Sequence, residues 1–268
     1  MIIRTLMEDN ISGENLCAEH GLCIYVETEK HKLLVDTGQS DRTWDNAKTK
    51  GINLEEIDTV VLSHGHYDHS GGLMSFAQIN PSAKIYMRAN AGGDYFSAKG
   101  QIHYIGIDKR IEELPNLTLI DKDMEIDSEL SVFTGVTGRH LWPAGNKILL
   151  KKENDEFMQD DFSHEQYLVI KDDDSKYVLI SGCAHNGILN ILEKFRSIYH
   201  CNPKLVISGF HMIRREYREA DINEIKSVAE ELKKMDTTLY TGHCTGEQAY
   251  DILKNIMGDK LQPLAELY

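Results

Sequence analysis

Three histidines and one aspartate lie within six residues of the chain, immediately after an apolar run. Residues 63–72 read Ser-His-Gly-His-Tyr-Asp-His-Ser-Gly-Gly, and residues 57–62 have the apolar, β-branched composition of a buried strand. The two glycines precede a stretch predicted to be helical. Nitrogen and oxygen ligands this dense at the end of a strand indicate a metal site, so the chain must fold into a sheet that carries one.

The spacing divides these residues into two groups. Alternate side chains of an extended chain point the same way, so His64 and His66 can hold one ion. The chain then turns, and Asp68 and His69 face a second position beside the first. Gly65 lets the backbone approach closely because it has no side chain. The competing interpretation is a solvated, histidine-rich loop, which would not be expected to follow a buried strand so tightly.

The pattern H-x-H-x-D-H-x-G-G at residues 64–72 resembles the signature of the metallo-β-lactamase superfamily. The resemblance implies a four-layer αββα sandwich, with two packed sheets and helices outside. Hydrophobic periodicity alone predicts only an α/β or α+β fold. Together with residues 181–192, 209–212 and 241–246, the pattern resembles a subgroup of metal-dependent hydrolases that includes dihydropterin-ribofuranosylaminobenzene phosphate synthases. These motifs contain the candidate metal ligands and the residues that would position them, and they do not define a substrate pocket.

Strands and helices alternate along both halves of the chain. Strands are predicted at residues 23–27, 32–36, 57–62, 84–87, 117–121, 130–135, 167–170, 177–181, 205–208 and 238–241. Helices are predicted at residues 41–50, 72–77, 188–198, 222–235 and 249–256. Without a Pro- or Ser-rich linker, residues 1–268 are expected to form a single domain. An irregular insertion around residues 90–115 is expected to fold over the site, and the acidic residues 172–174 to form a hairpin turn.

Net charge and cysteine content limit the classes of partner that the chain is expected to bind and indicate its cellular compartment. The net charge of −14 argues against affinity for nucleic acid or anionic membranes. A small anionic substrate stays compatible because a metal ion reverses the local field. Five cysteines without a C-x-x-C motif, together with no predicted signal peptide or membrane span, favour a reduced, cytoplasmic setting. The sequence leaves the oligomeric state open.

One loop cannot supply enough ligands for two ions, so further ligands are expected at other strand ends. His185 and His243 each follow an apolar strand and small residues and precede a predicted helix. Thr245 and Gln248 fit a capping box, which would place a helix N-terminus beside His243. The resemblance implies a first metal ion held by His64, His66 and His185, and a second held by Asp68, His69 and His243.

One position departs from the superfamily pattern. Members usually carry a bridging aspartate after a glycine at a strand end, whereas this chain has Gly182 followed by Cys183. If Cys183 takes the bridging position, the third histidine of the first set could be His164 instead of His185. A cysteine thiolate can ligate zinc, but a small buried cysteine is an equally good interpretation. One or two ions per chain are therefore expected.

Other polar residues at strand ends have candidate supporting roles. The resemblance implies that Asp36 lies under the metal loop and orients it, although an ordinary turn aspartate is the alternative. His211 could contact substrate or move protons, and His140 could do so less convincingly. The remaining histidines are predicted to be surface or packing residues, namely His20, His31, His103 and His200.

The sequence predicts a metal-dependent hydrolase, in which a metal-bound hydroxide attacks a small ester, lactone or phosphodiester-type substrate. Asp68 and His211 are the predicted catalytic residues. Zinc is the expected metal, with iron or manganese as alternatives. A diiron-type oxidoreductase is a second possibility, but such members carry Glu where His66 stands and usually need a flavin domain. A non-catalytic metal-binding sensor is the third.

Overall fold

The computed structural model describes residues 1–11, 13–172 and 176–267, so Asp173 and Asp174 of the predicted acidic turn lie outside the described residues. The strands are β1 (Ile2–Met7), β2 (Cys23–Glu27), β3 (Lys32–Val35), β4 (Thr59–Val61), β5 (Lys84–Arg88), β6 (Asp94–Ser97), β7 (His103–Tyr104), β8 (Leu117–Ile120), β9 (Met124–Glu125), β10 (Leu130–Thr134), β11 (Leu149–Glu153), β12 (Glu156–Gln159), β13 (Gln166–Lys171), β14 (Tyr177–Ile180), β15 (Leu205–Ile207), β16 (Thr238–Thr241) and β17 (Leu261–Pro263).

The helices agree closely with the periodic segments of the sequence. They are α1 (Arg42–Thr49), α2 (Tyr67–Ser70), α3 (Leu73–Ile79), α4 (Ile188–Tyr199), α5 (Glu219–Lys233) and α6 (Glu247–Met257). The predicted strands and helices are thus confirmed, with ends that move by a few residues. None of the helices in the described ranges is long and apolar enough to cross a membrane.

Two large sheets are built from the two halves of the chain. The first has the order β1-β2-β3-β4-β5-β8, antiparallel up to β3 and parallel from there on. The second has the order β17-β16-β15-β14-β13-β10-β9, with its parallel strands from β14 to β17. Parallel neighbours are joined by long connections, as parallel pairing requires. An α-helix lies in each of these connections except the one between β5 and β8, which contains β6 and β7.

The two sheets pack face to face, with helices on both outer faces. In β4, Val60 packs against the α1 and α3 side, and its neighbour Val61 packs into the layer between the sheets, against residues such as Ile180. A strand buried on both faces must be apolar throughout, which explains the unbroken hydrophobic run. On the far side, α4, α5 and α6 pack on the second sheet. The predicted αββα sandwich is confirmed.

A small third sheet, ordered β12-β11-β6-β7, covers one side of the metal loop. The expectation of irregular structure around residues 90–115 is therefore wrong in part, because this stretch contains β6 and β7. Strand β6 pairs with β11, and that long-range partner leaves no local signal. The side chain of Tyr95 points inward, and its ring lies 4.0 Å from that of His164.

Candidate metal centre

Strand ends from both sheets meet at one edge of the sandwich. β3 ends before Asp36, β4 before residues 63–69, β14 before residues 181–185 and β16 before His243. Since β1 is antiparallel to β2 and β2 to β3, the end of β1 brings Asp9 to the same edge. Asp9 and His243, 234 positions apart in the chain, are in direct contact there. Parallel strands present their carboxyl ends together, which is where open α/β sheets place their sites.

The first ligand set consists of His64, His66 and His185, all buried. Nε2 of His64 lies 3.0 Å from Nδ1 of His66, and the His185 ring centroid lies 5.0 Å from each of the other two. Two ligands of a tetrahedral zinc ion with ordinary Zn–N bonds lie about 3.3 Å apart. Among the described residues, Nε2 of His185 is buried and has no hydrogen-bond partner. Buried imidazole nitrogens are normally satisfied, so this arrangement fits a cation.

Neutral groups orient the rings of this set. Oγ of Ser63 donates to Asp36, so it accepts from Nδ1 of His64 at 2.8 Å and leaves Nε2 of His64 unprotonated. Oδ1 of Asn146 lies 3.0 Å from Nδ1 of His185, which leaves Nε2 of His185 free in the same way. Phe162 stacks on the His185 ring at 4.5 Å. The supporting residues therefore select the tautomer that a metal ligand needs.

Burial also sets the charge of the first set. It lowers the pKa of His66 to about 3, reinforced by the neighbouring His164. Burial likewise holds the pKa of His64 and of His185 well below the ordinary histidine value, and adjacent histidines add to the effect. The three rings are neutral at pH 7, which is the form that binds metal ions.

The second ligand set consists of Asp68, His69 and His243 and is richer in carboxylates. Oδ2 of Asp68 lies 3.5 Å from Nε2 of His69 and 3.4 Å from Nε2 of His243. Nδ1 of His69 pairs with Asp36 at 2.6 Å, and Nδ1 of His243 pairs with Asp9 at 2.6 Å. Burial alone would raise the pKa of Asp68, but His69 and His243 outweigh it and hold that pKa well below its usual range.

Cys183 lies between the two sets. Its Sγ is 3.2 Å from Nε2 of His69, and it forms one compact group with His64 and His185 and another with His69 and His243, each with ligand atoms within 4.8 Å of one another. Burial raises the pKa of the thiol well above its ordinary value. A cation beside the sulfur would deprotonate it. The sulfur thus lies within reach of residues from both predicted ligand sets.

His164 is already committed to other contacts. Its Nδ1 accepts the backbone N–H of Gly65 at 3.0 Å, and its Nε2 pairs with Asp160 at 3.0 Å. Both ring nitrogens therefore have partners, whereas Nε2 of His185 has none within the part of the chain that the structure describes. The geometry favours His185 over His164 as the third histidine of the first set. His164 instead holds the backbone between His64 and His66.

The other candidate histidines lie at different distances from the centre. The His211 ring centroid lies 4.2 Å from that of His185, and its buried Nδ1 has no partner among residues 1–11, 13–172 and 176–267. His140 is exposed and pairs with Glu231 of α5 at 2.7 Å. The capping box of Thr245 is wrong: Gly246 precedes α6, and Oγ1 of Thr245 instead contacts Thr241 and the backbone of Phe210.

Sequence reasoning missed several supporting residues. Asp9 follows strand β1, which was not predicted; had residues 2–7 been predicted as a strand, the strand-end rule that found Asp36 would also have found Asp9. His20, predicted to be a surface or packing residue, contacts both Asp9 and Asp68. Glu165 accepts the backbone N–H of His185 at 2.6 Å, and no local pattern marks it. Asn146 is equally unmarked, because its partner lies 39 residues away.

Comparison with known proteins identifies the family of the chain. The sequence profile of the metallo-beta-lactamase superfamily matches residues 18–128. The chain is 30% identical to the 7,8-dihydropterin-6-methyl-4-(beta-D-ribofuranosyl)-aminobenzene-5'-phosphate synthase of Methanocaldococcus jannaschii, over 92% of this chain and 88% of that one. This chain belongs to the metallo-β-lactamase superfamily. Members typically bind metal ions, and the ligand groups described above are suited to do so.

Two solved structures extend the comparison. One is described as Tm1679, a metal-dependent hydrolase of the β-lactamase superfamily; it is 30% identical, with a TM-score of 0.79 over 97% of this chain and 94% of that one. The metallo-β-lactamase fold protein YhfI of Bacillus subtilis has a TM-score of 0.54 at 13% identity, over 97% of this chain and 95% of that one, and shows the shared fold alone. Tm1679 is described as a metal-dependent hydrolase of this superfamily, whereas the methanogen relative is named as a synthase.

Proposed function

We propose that this protein is a metal-dependent hydrolase that acts on a small anionic ester, lactone or phosphodiester. The observation that carries the proposal is the convergence of buried imidazole nitrogens without hydrogen-bond partners, on His185 and His243, beside an ionised Asp68. In this proposal the two ligand sets hold two ions, with Cys183 between them. A mixture of nitrogen, sulfur and oxygen ligands favours zinc over manganese, which prefers oxygen.

A metal ion held here would supply a Lewis acid that polarises a substrate oxygen and makes water acidic near neutral pH. The chain's own residues do the rest. Oδ2 of Asp68 is an acceptor that can hold the proton of an attacking water. His211, with Nδ1 unpartnered beside His185, is placed to contact the substrate. Asp36 orients His69 and, through Ser63, His64, and so keeps both sets in one geometry.

An anionic substrate is supported by the residues beside His211. Nη1 of Arg214 donates to the carbonyls of His211 and Ile213, which keeps the guanidinium next to the His211 backbone. A Cβ at Gly145 would lie 2.6 Å from Nη1 of Arg214 and 3.1 Å from Nε2 of His211, so both side chains approach the Gly145 backbone closely and lie next to each other there. A guanidinium suits a carboxylate or phosphate group because its planar donors match their oxygens.

The proposal is tested with purified, zinc-loaded protein on a panel of ester, lactone and phosphodiester substrates. The wild type should hydrolyse at least one of them, and His66→Ala should lower kcat/KM on the order of 100-fold or more, since the metal contributes several kcal/mol to such reactions. His200→Asn is the matched control: His200 is exposed at the end of α4, and Asn tolerates its left-handed backbone. Equal inactivity of the wild type and His66→Ala across the panel would count against a hydrolase.

A second candidate function is a synthase reaction. It is favoured by the 30% identity to the methanogen synthase along nearly the whole chain. The two ligand sets alone do not distinguish a hydrolase from a synthase. An assay for 7,8-dihydropterin-6-methyl-4-(beta-D-ribofuranosyl)-aminobenzene-5'-phosphate, the product in the relative's name, would distinguish the synthase from the hydrolase. The product is detected by mass spectrometry, and the same His66→Ala and His200→Asn variants are compared with the wild type.

A further inference from the structure

His20 lies in the segment between β1 and β2, and its side chain is 48% exposed. Exposure agrees with its prediction as a surface residue, but its contacts do not fit a surface role alone. Nδ1 of His20 lies 2.8 Å from Oδ2 of Asp9, and its Nε2 lies 3.4 Å from Oδ2 of Asp68. The ring therefore joins two carboxylates at the edge of the second ligand set.

Oδ2 of Asp68 has three ring nitrogens around it at nearly equal distances. Nε2 of His69 lies at 3.5 Å, Nε2 of His243 at 3.4 Å and Nε2 of His20 at 3.4 Å. Ligands of one tetrahedral zinc ion are separated by about 3.3 Å when the bonds have their ordinary length. His20 therefore has the same relation to Asp68 as the two histidines that the superfamily pattern assigns to the second ion.

Asp9 orients His20 and His243 in the same way. One carboxylate oxygen pairs with Nδ1 of His243 at 2.6 Å, and the other pairs with Nδ1 of His20 at 2.8 Å. A carboxylate on Nδ1 is the usual support of a metal-bound histidine, because it leaves the lone pair on Nε2 for the metal. The ring centroids of His20 and His243 lie 4.8 Å apart, and the two Nε2 atoms each lie 3.4 Å from the same oxygen, Oδ2 of Asp68.

We propose that His20 is a ligand of the second metal ion through Nε2, in addition to Asp68, His69 and His243. The inference rests on the metal centre of the proposed function and not on the reaction that it performs. Because Asp9 pairs with Nδ1, loss of the proton from Nε2 leaves a lone pair of His20 beside the Asp68 carboxylate, and a cation held there would be bound by both groups. The exposed position of His20 makes it the ligand on the solvent side of the centre.

The test measures metal binding, not activity. Chelator-treated wild type, His20→Ala and the control His200→Asn are titrated with Co²⁺, followed by visible absorption and elemental analysis. The wild type and His200→Asn should bind two ions. His20→Ala should bind the second ion more than about 100-fold more weakly, because a ligand is lost outright, with a changed spectrum for that ion alone. X-ray absorption of the two-zinc forms should count one histidine nitrogen fewer in His20→Ala.

Added imidazole sharpens the test, because the exposed position gives a free ligand access to the gap left by His20→Ala. Restoration of the wild-type cobalt spectrum by imidazole would support ligation. A second-ion affinity and spectrum of His20→Ala equal to the wild type would overturn the inference. A weaker affinity with an unchanged nitrogen count would also overturn it, since His20 would then act only as an ion-pair partner of Asp68. If the wild type binds fewer than two ions, the proposed centre and the inference fail together.

Discussion

The two ligand sets lie side by side at one sheet edge but differ in chemistry. The first set contains only imidazoles, buried and supported by the neutral groups of Ser63 and Asn146. The second set contains Asp68 and is supported by two further carboxylates, Asp9 and Asp36. The first set is thus kept neutral by burial, and the second concentrates negative charge. One edge of the sandwich can therefore present two candidate cation sites, one supported by neutral groups and the other by carboxylates.

Removal of a ligand from the first set should separate the two sites most clearly. His185→Ala should weaken binding of the first ion by more than roughly 100-fold, because a ligand is lost outright, and should leave the second ion near its wild-type affinity. Isothermal titration with zinc measures both steps. His164→Ala, which removes no proposed ligand, should retain the first ion with a much smaller loss. Equal losses in both variants would mean that His185 is not the third histidine.

Asp9→Asn tests the carboxylate support of the second set. Asn at this position keeps the size of the side chain but removes the charge that pairs with Nδ1 of His243 and of His20. Second-ion affinity should fall about 10- to 100-fold, as is typical when such partners are removed, while the first ion is unaffected. A cobalt titration resolves the two ions; weakening of the first ion instead would contradict the division into two sets.

Asn146→Ala is the matching change in the first set. The affinity for the first ion should fall by about tenfold, the lower end of the range expected for Asp9→Asn. The hydrogen bond between Asn146 and Nδ1 of His185 is neutral, and charge-assisted hydrogen bonds are roughly twice as strong. The same titration should now show the first ion weakened. A loss larger than that of Asp9→Asn would mean that the neutral set depends on its supporting residues as strongly as the charged set does.

Acid should destabilise the metal-free protein through the first set, and this is the smallest of the four effects expected here. The folded pKa of His66, about 3, lies below the unfolded value of 6.5, so the unfolded chain binds the proton first as pH falls. The free energy of unfolding should therefore decrease from pH 6.5 downward. One such ring contributes about 1 kcal/mol between pH 6.5 and 5.5. Urea unfolding of chelator-treated wild type should show this extra decrease in the free energy of unfolding between pH 6.5 and 5.5, relative to His66→Asn. Above pH 7.5, the free energy of unfolding should depend on pH in the same way in both proteins.

Much of the frame could be predicted because it is encoded locally. The buried strand before Ser63 and the helix with Ile188 and Ile191 on its apolar side have periodicities that short stretches of sequence carry. The strand-end histidines His185 and His243 were located by the same local pattern, and the structure brings both to the centre. The third sheet was not predicted, because β6 and β11 pair across more than 50 residues.

The sequence by itself determined which residue types follow each strand, and hence that a cluster of imidazoles and carboxylates would form at one sheet edge. Only the tertiary structure decided which ring nitrogens stay free: His164 is occupied by Gly65 and Asp160, and Nε2 of His185 is not. It also brought the exposed His20 beside Asp68. The physical reason is that a nitrogen's role depends on its partners, and those partners come from chain segments joined by sheet pairing and loop packing, which no local pattern records.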